Sequence, residues 1–97
     1  MQVAATILEQ LGGYGRLKTM INGRDFIDMG DGLKFRFSGS RKANTAIIEL
    51  TPRDTYHVHL YKITNRGLDV REVADAEMTW DAMKEYIETN TQLRLSI

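Results

Sequence analysis

Between Leu33 and Ile63, apolar and polar residues alternate through three successive runs, "LKFRF", "TAIIELT" and "TYHVHLYKI", each separated from the next by a short polar or proline-containing turn. Side chains on a strand point to opposite faces in turn, so this two-residue period commits each run to a sheet with one apolar and one polar face. Leu33, Phe35 and Phe37 oppose Lys34, Arg36 and Ser38. Ala46, Ile48 and Leu50 oppose Thr45, Ile47, Glu49 and Thr51, and Tyr56, Val58 and Leu60 oppose His57, His59 and Tyr61. Pro52 cannot donate to a ladder and closes the second run, while "SGSRKAN", Pro-Arg-Asp and "TNRG" supply the turns.

The flanks add helices. Ala4, Ile7, Leu8 and Leu11 recur at helical spacing ahead of Gly12-Gly13, which predicts a short helix over Val3 to Leu11. Asn22-Gly23 sits between two short runs and suits the positive φ angles of a tight hairpin turn. Gly30, Asp31 and Gly32 repeat the turn signal. "LDVREVADAEM" begins as a strand whose alternation slips between Arg71 and Val73, the mark of a bulge or an early end. A last helix follows, with Trp80, Met83, Tyr86 and Ile87 on its apolar stripe, Thr79 as N-cap, and Trp80 as an expected anchor on the sheet. Leu93, Leu95 and Ile97 in "QLRLSI" suit a short final strand or an extended segment on the core. The expected architecture is a single α+β domain over residues 1–97: an antiparallel sheet of about five strands with an N-terminal and a C-terminal helix packed on one face.

Ninety-seven residues suffice for a core without staples. The absence of cysteine excludes disulfides, thiolate metal sites and thiol nucleophiles, and fits a reducing compartment, so the cytoplasm is the expected location. No basic leader or membrane-length apolar run stands out, and no membrane association is expected. Thirteen basic and thirteen acidic side chains cancel, which argues against a polycation or an acidic nucleic-acid mimic. Their placement is uneven. Lys34, Arg36, Arg41 and Lys42 stand in an acid-free stretch from Gly32 to Ile48, whereas Asp69 to Glu88 carries seven acids against Arg71 and Lys84.

Few residues suggest chemistry. His57 and His59, two apart on a strand, point the same way and can chelate, but zinc needs further ligands. No other histidine or cysteine exists, which leaves carboxylates such as Glu49 or Asp69. The expectation is therefore a half-exposed strand face, with no metal and no cofactor. "LGGYGRLK" follows a helix instead of opening one and so fits no phosphate loop. Asp25, Asp28 and Asp31 fall at every third position, whereas a calcium loop wants alternate ones. Ser38, Ser40 and Ser96 sit in no nucleophile elbow. No catalytic constellation emerges, and an enzyme is not expected. The basic hairpin of Lys34, Arg36, Arg41 and Lys42 offers an alternative function, a small nucleic-acid-binding module with Tyr56, Tyr61 or the histidines stacking on bases.

"ILEQLGG", "GDGLKFRF", "AIIELTPRDTYHVHLYKI" and "GLDV", followed by a helix and a short apolar tail, together resemble a family of small proteins carried by bacteriophages and prophages. The resemblance covers nearly the whole chain. It departs from the family's pattern at His57 and His59, where acidic residues flank the strand's valine. What it implies is a setting: a non-enzymatic phage accessory protein that acts by binding a host protein or complex, such as an inhibitor of a bacterial defence system of the anti-CRISPR kind. Ile47, His57, His59 and Tyr61, on the strand face away from the helices, are the expected protein-binding residues. The opposed basic and acidic stretches, free sheet edges and the apolar tail favour a homodimer.

Overall fold

The computed structural model describes residues 2–93. Helices α1 (Gln2–Gln10) and α2 (Tyr14–Ile21) lead into strands β1 (Arg24–Asp28), β2 (Gly32–Arg36), β3 (Thr45–Leu50) and β4 (Tyr56–Thr64). A single 3-10 turn (Asn65–Gly67) connects to β5 (Asp69–Met78), and α3 (Trp80–Thr91) closes the order. The strands form one sheet in the order β1-β2-β3-β4-β5, every neighbouring pair antiparallel. This is the expected α+β architecture, with helices at both ends of the chain. Among the described residues no helix is long and apolar enough to cross a membrane.

The two-residue period decides which face is covered. Leu33, Phe35, Ala46, Ile48, Val58 and Leu60 lie inward and are at most 3 % exposed. They pack with Ala4 and Ile7 of α1, Leu11 just after it, Leu17 and Ile21 of α2, and Met83 and Ile87 of α3 in one cluster. Fully burying a side chain of the Val, Leu, Ile, Phe or Met class contributes about 1.5–3 kcal/mol, so this face holds the fold together. Gly32 lets β2 and β3 close up: a Cβ there would run into the carbonyl oxygen of Ile48 and come within 3.2 Å of the Glu49 Cα.

Four features differ from the sequence-based expectation, the first being α2 itself: "LGGYGRLK", read as following a helix instead of opening one, does both, with Gly13 at the N-cap of α2. Asn22-Gly23 is no hairpin turn: Asn22 ends α2 in the left-handed region (φ 55°, ψ 45°), and Gly23 N–H donates to the Leu17 carbonyl at 3.0 Å. The same positive-φ tolerance that suits a hairpin suits a helix end, and Leu17, Met20 and Ile21 at helical spacing decide between them. Trp80 is no anchor, being 57 % exposed. Only Thr79 separates β5 from α3, so the helix's first turn stands at the end of an edge strand, and Met83 and Ile87 make the contact with the core instead. Thr79 is the N-cap residue, yet its hydroxyl donates to the Asp81 carboxylate and not to a backbone N–H. Of the expected final strand, Leu93 is half-buried against the core, and Leu95 and Ile97 lie outside the described residues.

The slip in β5 is a bulge. Leu60 pairs with Ala74, but Tyr61 pairs with Glu72, so Val73 is the extra residue. Val73 and Ala74 both pack against the core, and the register returns Glu72 and Asp75 to the same outer face.

Candidate functional site

Among the described residues the outer face of the sheet carries no helix, and its register sorts the polar residues into rows. One row runs Gly32, Glu49, His57, Glu77; the next Lys34, Ile47, His59, Asp75; the third Arg36, Thr45, Tyr61, Glu72. Of the expected protein-binding residues, His57, His59 and Tyr61 thus form a column along β4, and Ile47 sits beside His59, half-buried. The rings are stacked: the His57 and His59 centroids lie 4.1 Å apart at 12° between planes, and His59 and Tyr61 lie 6.1 Å apart at 16°.

Carboxylates enclose the column. His57 Nε2 lies 3.3 Å from Asp75 Oδ1, and His59 Nε2 lies 3.2 Å from Glu49 Oε1. His59 Nδ1 faces the other way, 3.9 Å from Glu72 Oε2, beyond hydrogen-bond reach. That nitrogen is shut off from solvent and has no hydrogen-bond partner among the described residues. Asp69, the other carboxylate considered from sequence, pairs with Thr64 at the far end of β4, away from both histidines.

Proton sharing distinguishes the acids. Donating a hydrogen bond to Asp75, and then partial desolvation, raises the Glu72 carboxyl above the usual glutamate range. The same bond, followed by the one to His57, lowers Asp75. Tyr61 is raised by burial first and then by the charge of Glu72. The Thr55 hydroxyl donates to Glu77 and holds that carboxyl below its ordinary value.

The basic half lies across the sheet. Lys34 and Arg36 line a cavity of about 530 Å³ together with Thr45, Ile63, Arg66 and Val70. Arg36 also pairs with Asp25 at 3.7 Å. Arg41 and Lys42 do not line this cavity. Their loop is tied instead to the end of α3, where the Ser40 hydroxyl donates to the Thr91 carbonyl at 2.8 Å. The four-residue basic hairpin read from sequence is therefore divided, and Arg66 joins two of its members.

No family model, curated protein or solved structure matches the chain.

Sequence reasoning missed Glu72, Asp75 and Arg66. Asp75 stands opposite His59 only because of the β5 register, and Glu72 shares its face only because Val73 bulges. Arg66 carried one local signal, its place in the "TNRG" turn, where it adopts φ 58°.

Proposed function

We propose that this domain acts by binding another protein through the open face of its sheet, without chemistry of its own. The observation that carries this reading is the division of one face into a basic side, Lys34, Arg36 and Arg66, and an acidic side, Glu72, Asp75 and Glu77 of β5, with a stacked ring column on β4 and Glu49 beside it. A polyanion would be repelled by half of such a surface, whereas a protein of mixed charge can complement both halves and gain orientation from them. Tyr61 and Ile47 provide the apolar contact that ion pairs on an exposed surface do not supply. The phage-like resemblance gives the setting: a bacterial cytoplasm, and a host defence component as the target.

Immobilised protein and its Tyr61→Ala and Ile47→Lys variants, exposed to bacterial lysate, test this directly. One partner retained in stoichiometric amount by the parent and lost from both variants is expected. Retention of no partner, or equal retention by all three, overturns the proposal.

A second reading follows from the cavity shared by Lys34, Arg36 and Arg66, which offers three cations to a phosphate backbone. It predicts a mobility shift of single- or double-stranded nucleic acid at low salt that is lost in a Lys34→Gln, Arg36→Gln, Arg66→Gln variant. Absence of a shift for the parent protein removes it.

A further inference from the structure

We infer that His57, His59 and Asp75 form a binding site for a divalent transition cation of the zinc class. One ligand atom from each of these residues lies within 4.8 Å of the others. Asp75 is the third ligand that the sequence did not disclose, brought opposite His59 by the β4–β5 register. The inference stands apart from the protein-binding proposal, since a cation can occupy this cluster whether or not a protein covers the face.

The disposition of nitrogens carries it. Glu49 Oε1 lies 3.2 Å from His59 Nε2, and a carboxylate at that distance favours the proton on that nitrogen, which leaves the Nδ1 lone pair available. Nδ1 is the buried atom without a partner, and it faces the β5 side, where Glu72 and Asp75 stand. A carboxylate holding the far nitrogen of an imidazole is the usual outer support of a metal-binding histidine. His57 presents Nε2 to the same side, 3.3 Å from Asp75 Oδ1. Metal–ligand bonds of about 2.0–2.2 Å place tetrahedral ligands roughly 3.3 Å apart, so the His57–Asp75 edge already has the required length. The remaining edges close when the imidazoles turn out of their 12° stack, because parallel rings cannot both aim a lone pair at one ion. Imidazole and carboxylate without thiolate suit zinc, nickel or copper and disfavour magnesium and calcium. Glu72, 3.9 Å from His59 Nδ1, is placed to give the fourth ligand, or that position holds water.

Calorimetric titration of the untagged chain with zinc chloride tests the site, read beside nitrogen-15 spectra of the imidazoles. One saturable zinc per chain is expected. His57→Gln, His59→Gln and Asp75→Asn each weaken it at least about tenfold, and Glu49→Gln weakens it by about 10- to 100-fold through the lost hold on Nε2. Lys18→Gln, on the exposed side of α2, leaves it unchanged. Zinc should shift the Nδ1 resonance of His59 while Nε2 stays protonated, a signature that a merely structural role would not produce. Circular dichroism confirms that each variant is folded, and His57, the more exposed of the pair, gives the decisive variant should His59→Gln unfold. The absence of a saturable zinc signal, binding that survives His57→Gln, equal competition by magnesium, or a zinc shift on His59 Nε2 alone would each overturn the assignment.

Discussion

Glu72 and Asp75, three positions apart on one strand, face the same way because Val73 is bulged out of the register between them, and Asp75 holds the Glu72 carboxyl above its ordinary range. Three positions in a regular strand would put them on opposite faces. Folding therefore favours a protonated Glu72 and an ionised Asp75. The contribution of Glu72 is complete below the ordinary glutamate pKa and fades as pH rises through its elevated value. That of Asp75 is complete above the ordinary aspartate pKa and fades as pH falls through its depressed value. Carbon-13 titration of the carboxyls should show Glu72 above and Asp75 below their usual ranges, with Asp75→Asn returning Glu72 toward normal. Two ordinary titrations in the parent protein would show that the two carboxyls do not influence each other in solution.

Thr55 and Glu77 form a second link across β4 and β5, and here the hydroxyl bond favours the ionised acid. Thr55→Val should destabilise the protein at about pH 7, and the loss should shrink as pH falls through the depressed Glu77 value. Urea midpoints measured across that range are the check. A pH-independent difference would assign the effect to packing.

The covered and open faces of β4 should respond oppositely to truncation. Leu60→Ala removes a fully buried side chain and should cost about 2–5 kcal/mol. His57→Ala, on the open face, should stay within about 0.5 kcal/mol of the parent. Equilibrium denaturation of both variants measures the contrast.

Gly32 and Gly30 separate two uses of glycine. Gly32→Ala should cost about 1–3 kcal/mol because the added carbon meets the β3 backbone. Gly30→Ala meets nothing and bears only the positive φ of 89°, about 1–2 kcal/mol. The β2–β3 amides should lose hydrogen-exchange protection in the first variant and keep it in the second.

Self-association should run through β5, which among the described residues has no strand on its outer side. Light scattering at micromolar concentration should give twice the 11.1 kDa chain mass, with a proline at Val70 restoring the monomer. A mass of one chain for the parent protein, unchanged between low and high salt, ends this prediction.

The alternating runs were enough to read the sheet's inner and outer sets, since a half-covered strand repeats every two residues. The β5 bulge was visible as a slip between Arg71 and Val73, but its consequence was not. Which residue of β4 faces Asp75 depends on pairing between segments 16 positions apart, and local pattern does not encode that. Asn22-Gly23 misled because one backbone conformation serves two structures. The side chain of Asn44 was equally hidden: it donates to the Ile63 carbonyl at 2.6 Å and accepts from the Ile63 N–H at 2.9 Å, extending the β3–β4 ladder by means that strand propensity does not describe.

With all the packing on one side of the sheet, consecutive residues of β4 answer to separate demands. An exchange at Val58 or Leu60 is tested by the core it enters, while an exchange at His57, the more exposed histidine, is tested chiefly by whatever meets that face. The strand thus carries two interleaved messages, and one set of alternate letters can be rewritten at less risk to the page on which both are written.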